Sequence, residues 1–198
     1  MSFDAIVEHY RKWYRPSSES ELDCFRRQPT VAAAVELAAV AQDCAGRRFP
    51  HQRRLKQADL DRARTKLGHN VTHLEQEKSF ARLLDRVAAL SSPIAGLGAL
   101  YRYDTAFRIG AKLDLFPASV HLHAGTRVGA VALGIHLEPN QRFLFKADLP
   151  SELLVLKPHE IEDVLCIYKK VLGDALARKP IHLPDDNTCF LDDPEDAD

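Results

Sequence analysis

Cysteine is scarce in this chain and never clustered: Cys24, Cys44, Cys166 and Cys189 stand far apart, with no Cys-x-x-Cys pair. That spacing excludes a zinc knuckle or a cysteine-ligated cluster and gives no disulfide frame, so the four read as reduced, mostly buried small residues. Long apolar runs are missing too. The longest, over residues 31–41, is too short to span a bilayer and is broken by Glu36, while Asp4 sits where a secretory leader carries positive charge. The expectation is a cytoplasmic protein with no membrane partner. No internal repeat is present, and no cofactor or bound metal is expected.

Acid and base nearly balance, with 27 Lys and Arg against 28 Asp and Glu, but unevenly along the chain. Seven acids follow Lys179 (Asp185, Asp186, Asp192, Asp193, Glu195, Asp196 and Asp198) and no base does, which leaves a body of +6 ahead of a tail of −7. A basic body suits a polyanion, and the tail suits a basic partner. With 198 residues and 45 % hydrophobic content, one substantial core is expected: a helical domain over 1–180, then an acidic, disordered tail over 181–198.

The hydrophobic period is helical nearly throughout, so the fold class is all-α, a single-domain bundle. Ser2 caps a first helix with the stripe Phe3, Ile6, Val7, Tyr10 and Trp13 or Tyr14, ending before Pro16. Ser18 with Glu21 forms a capping box for a second helix, and Thr30 caps a third over 31–45. A basic stretch follows Gly46, holding Arg47, Arg48, Arg53, Arg54 and Lys56. It reads either as a solvated loop or as a secondary phosphate-contacting surface. A helix over 58–67 comes next, and Thr72 with Glu75 offers another capping box. Further on, Thr126 caps a short helix with Val128, Val131 and Leu133 as its apolar residues. Pro158 opens a strong helix with Ile161, Val164, Leu165, Tyr168 and Leu172 on one face.

These elements are arranged about residues 80–113. An amphipathic run (Phe80, Leu83, Leu84, Val87, Leu90) stops at Ser91-Ser92-Pro93, passes through Ile94-Ala95-Gly96-Leu97-Gly98, and restarts (Leu100, Tyr103, Phe107, Gly110, Leu113). This is helix, tight hairpin, helix. Its glycines permit positive φ and leave the amides of Gly96, Leu97, Gly98 and Ala99 bare at the N-terminus of the second helix, where an anion is favoured. A structural αα-turn capped by glycine has the same spacing. Tyr101 and Arg102 follow as candidates to stack on bases or sugar. Arg127, at the start of a helix after Gly125 and Thr126, offers a second anion pocket.

The pattern apolar, any residue, Gly, apolar, Gly between two helices resembles the helix-hairpin-helix motif. With the extended segment and short helix that follow, residues 80–134 are similar to the helix-hairpin-helix DNA glycosylase superfamily. The resemblance implies a hairpin that grips the phosphate backbone of duplex DNA without reading sequence. In that family the segment after the second helix reads Val-Asp-Thr-His-Val, then Arg-Val, and its Asp is the catalytic carboxylate. Here Val120-His121-Leu122-His123-Ala124 and Arg127-Val128 hold the corresponding places. His121 stands for the Asp, and Leu100 stands where the lyase branch has its Schiff-base lysine, so neither carboxylate nor amine is available. The resemblance therefore implies a DNA-binding or damage-sensing module without base-excision activity.

Two readings of other classes stay open: an enzyme with a non-standard site built from His121, His123, Asp104 and Arg127, and a protein-interaction module. His121 with His123 on a strand, and His69 with His73 on a helix, have the spacing of paired metal ligands but lack a third in register. Asp104 lies four residues before Arg108, the spacing of a helical ion pair.

Overall fold

The computed structural model, described over residues 3–184, is 61 % helix and 3 % strand, so the protein is all-α. In chain order the helices are α1 (Phe3–Trp13), α2 (Arg15–Arg26), α3 (Val31–Ala39), α4 (Gln57–Gly68), α5 (Val71–Glu75), α6 (Phe80–Ser91), α7 (Ala99–Leu113), α8 (Ala124–Ala132), α9 (Pro158–Ile167) and α10 (Leu172–Leu176). Strands β1 (Val120–His121) and β2 (Phe143–Leu144) pair antiparallel, with Val120 opposite Leu144 and His121 opposite Phe143. Contacts divide the chain into two compact units, Met1–Ser18 with Pro117–Asp198, and Glu19–Phe116. The acids expected in the tail lie outside the described residues; just before them, Ile181 is buried in the core of the first unit.

In the first unit, α1 buries the expected stripe of Phe3, Ile6, Val7 and Tyr10. Tyr10 donates to Asp163 of α9 at 2.6 Å, and burial together with that carboxylate pushes its phenol far up. The α8 helix departs from its expected stripe. Val128 and Val131 are 54 % and 60 % exposed, and the inward face is made of Gly125, Thr126, Gly129 and Ala130. Small residues let α8 lie close on α9: a Cβ at Gly129 would stand 2.1 Å from the Leu165 carbonyl oxygen. The N-cap is His123 rather than Thr126. Thr126 sits in the first turn instead, where its hydroxyl accepts from the His123 amide at 2.7 Å.

The second unit is organised by α3, whose small residues Ala34, Ala38 and Ala39 let it pack on both α7 and α4. Thr30 caps it as expected, accepting from the Ala33 amide at 3.1 Å, but the helix ends at Ala39 instead of running to 45. The reason is Asp43, whose carboxylate takes the amides of Ala45 and Arg47, both at 2.9 Å, and so stabilises a turn in competition with the helix. Those amides, with Arg47 first, hold the Asp43 carboxyl below the usual range. Two other starts are displaced. α2 begins at Arg15 with Pro16 in its first turn, where the missing N–H costs nothing, so Ser18 caps nothing. Thr72 lies inside α5, and Ser79 caps α6.

The cysteines are corrected outright: Cys24 of α2 and Cys44 of the Asp43 turn form a disulfide. The pairing has no local signal, because the turn back from α3 is what brings the two α-carbons to 5.7 Å. Persistent disulfides belong to oxidising surroundings, so cysteine usage no longer argues for a reducing compartment. Among the described residues no helix is long and apolar enough to cross a membrane.

Candidate nucleic-acid interface

Residues 92–98 turn the chain from α6 into α7. Gly96 takes φ +84 at the tightest point, while Ile94 and Leu97 are driven inward. The Leu97 amide donates to the Ile94 carbonyl at 3.4 Å, so neither backbone nor side chain of Leu97 faces a ligand, contrary to expectation. Gly98 is the N-cap of α7 in extended backbone and supplies no side-chain cap. The first-turn amides of a 15-residue helix, from Ala99 onward, therefore keep their capacity for an anion. Gly96 does not share it. A Cβ there would stand 3.3 Å from Asp59 Oδ2, and although Asp59 pairs with Arg62, its carboxylate makes this side of the turn the less favourable for a phosphate.

Beneath the turn, Ile94 and Leu97 share one small apolar cluster with Val40, Leu55, Leu60, Ala63 and Tyr101. Tyr101 is thereby removed from the candidate stacking residues. It is 2 % exposed, and its hydroxyl donates to the Ala39 carbonyl at 2.8 Å. Burial pushes its phenol up to about 12. It pins the turn to the end of α3. Arg102 beside it is half-buried.

Leu55 ties the basic stretch to the same cluster. Of the five cations there, Arg47 is held by Asp43 at 2.8 Å, and Arg48 donates to the Leu55 carbonyl at 3.2 Å and to Gln57 Oε1 at 2.6 Å. These two shape the loop. Arg53, Arg54 and Lys56 are exposed and have no side-chain partner among the described residues. No family model, curated protein or solved structure matches the chain.

A buried polar network lies further along α7, and the spacing announces only its Asp104–Arg108 pair. Arg108, 1 % exposed, donates to Glu21 Oε1 and Gln52 Oε1, both at 2.8 Å, and its guanidinium lies 3.7 Å over the Phe49 ring. The expected pair with Asp104 is present at 3.9 Å, but Asp104 stands closer to His51 Nε2 at 2.8 Å and Gln52 Nε2 at 3.0 Å. The network fastens the front of the basic stretch to α7. The available signal was an arginine beside Ile109 on a helix that is buried on more than one side.

Of the remaining candidates, His121, His123 and Arg127 fall in the first unit and His69 and His73 in the second. His121 is buried in β1, and His123 Nε2 lies 2.6 Å from Glu162 Oε1. Arg127 is turned away from the α8 N-terminus where the second anion pocket was expected: its guanidinium donates to the carbonyls of Gln141 at 2.7 Å and Glu138 at 2.8 Å, fixing the loop ahead of β2. His69 and His73 do not share a helical face. The chain breaks at Asn70, between α4 and α5.

Proposed function

We propose that the unit Glu19–Phe116 binds duplex DNA by its phosphate backbone, through the start of α7 and the cations Arg53, Arg54 and Lys56, without base-excision activity. The observation that carries this reading is the shared cluster: Leu55 packs against the cluster to which Leu97 belongs, so three uncompensated cations and an uncapped helix N-terminus are built on one foundation. Phosphate favours both features, the first by charge and the second by donor geometry. Neither reads bases, which predicts binding without sequence preference. The unit also resembles the helix-hairpin-helix pattern, and the family likeness supplies the expectation of DNA. The imidazole at 121 cannot provide the fixed negative charge that stabilises a sugar cation, which is why excision is absent from the proposal.

Titration of a labelled duplex tests it. Log affinity should fall against log salt with a slope of about −3, as expected when roughly three phosphates are neutralised. Gly98→Val places a branched side chain over the α7 amides in backbone that any residue adopts, and should weaken binding about tenfold with helix content unchanged. A triple change of Arg53, Arg54 and Lys56 to Glu should abolish binding. Equal affinity for Gly98→Val removes the turn from the account, and release of uracil, alkylated or oxidised bases from the same duplexes would falsify the non-enzymatic part.

A further inference from the structure

We infer that the outer face of the β1–β2 ribbon binds unpaired bases of a single-stranded nucleic acid. Along β2 and its continuation, Phe143 and Phe145 are 42 % and 66 % exposed, while Leu144 between them is 1 % exposed and packs inward with Val120. Phe145 keeps extended backbone, with φ −84 and ψ 152, so both rings leave the ribbon on the same side. Every other phenylalanine among the described residues is buried or half-buried. The apolar–apolar–apolar pattern of Phe143-Leu144-Phe145 satisfies the core with its middle residue only.

Spacing and charge choose the occupant. Residues two apart on a strand are roughly 7 Å apart, twice the rise of about 3.4 Å per nucleotide in a stacked strand, so one flat base fits between the two positions. The Arg142 guanidinium stands over the Phe143 ring at 6.0 Å. On either side, Arg127 donates to the carbonyls of Glu138 and Gln141, and Lys146 to those of Leu154 and Leu156. These bonds orient the two cations without neutralising them: neither meets a carboxylate among the described residues. Aromatic rings flanked by these two cations, with one acid, Asp148, held on the Phe145 amide at 3.0 Å, match a ligand that is flat, polarisable and anionic, which is a base with its phosphates. An aliphatic partner would have no use for the cations. The face belongs to the unit formed by Met1–Ser18 and Pro117–Asp198, so it stands independently of the duplex reading.

The test is fluorescence anisotropy with a labelled oligothymidylate and, in parallel, a duplex. The wild type should bind the single strand. Phe143→Ala and Phe145→Ala should each weaken that binding by roughly 5- to 150-fold, the range for loss of one base–aromatic stack, and leave duplex affinity unchanged. Phe145→Trp should bind like the wild type, whereas Phe145→Leu, which keeps apolar area without a π face, should behave like Phe145→Ala. Both positions are solvent-facing, and circular dichroism of each variant checks that the fold is kept. Absence of single-strand binding overturns the inference. So does full affinity in Phe145→Leu, or a loss of binding to phosphatidylserine vesicles in the alanine variants with oligothymidylate binding intact, which would make the face a lipid contact. A wild type that binds the single strand but not the duplex would sink the duplex proposal and leave this one standing.

Discussion

Tyr101 joins three elements through one side chain: its ring fills the cluster under the glycine turn, and its hydroxyl satisfies the Ala39 carbonyl at the end of α3. Burial raises the phenol from 10.0 to about 12, so the folded state binds the proton more tightly than the unfolded chain. The stabilisation is complete below about pH 10 and is lost as pH rises from there through about 12. Tyr101→Phe should cost about 1 kcal/mol near neutrality, the worth of one hydrogen bond, and should reduce the alkaline decline, leaving the part that the raised Tyr10 phenol carries. Urea melts at neutral pH and at about pH 11 measure both. An unchanged alkaline decline in the variant would show that another tyrosine carries it. The periodicity of α7 points to Tyr103 and not to Tyr101 because it follows one stripe. The chain in fact buries α7 on a second side, against a satellite cluster whose members Val40, Leu55 and Leu60 come from distant segments. Arg108 was illegible for a related reason: Glu21 is 87 residues away and Gln52 is 56, and an arginine's spacing says nothing of partners that remote.

Among the elements, helix existence was legible and helix faces were less so. The stripes of α1 and α6 stand where hydrophobic spacing puts them, because large side chains fill those interfaces, whereas the stripe expected on one helix from Pro158 is split: α9 ends at Ile167, Tyr168 is its C-cap, and Leu172 starts α10. α8 inverts the rule. Its close contact with α9 is made by Gly125, Gly129 and Ala130, which carry little hydrophobic signal, and its valines face solvent. Gly129→Ala should therefore destabilise by about 3 kcal/mol, since a methyl cannot occupy space 2.1 Å from a backbone oxygen without prying two helices apart. Val131→Ser, on the exposed face, should stay within about 0.5 kcal/mol. Denaturant midpoints of the two variants decide it, and the reverse order of stabilities would show the helix rotated from its described position. Helix ends were the other weak point. Asp43 ends α3 through bonds to two amides that compete with hydrophobic spacing, and Pro16 is accommodated in the first turn of α2 because it has no N–H to satisfy there.

Over the whole molecule, net charge conceals a dipolar arrangement in sequence, +6 in residues 1–179 against −7 beyond. If the tail competes with nucleic acid for the cations, deletion of residues 183–198 should raise affinity for a duplex at low salt and change it little at high salt, where the Debye length falls from about 10 Å at 0.1 M towards 3 Å at 1 M. Equal affinities at low salt would assign the tail no part in binding. The fold class was legible because it depends on a period repeated along the chain. The division into two units and the Cys24–Cys44 bond were not, since both depend on which distant segments meet.

That bond closes a covalent ring around the whole of α3, including the Ala39 carbonyl that receives Tyr101. A protease cutting anywhere between residues 24 and 44 would divide the backbone without dividing the molecule. The two fragments would travel as one species until a thiol reagent opened the ring. For the unit Glu19–Phe116, integrity against a nick in this region is thus a property of sulfur chemistry rather than of the peptide chain.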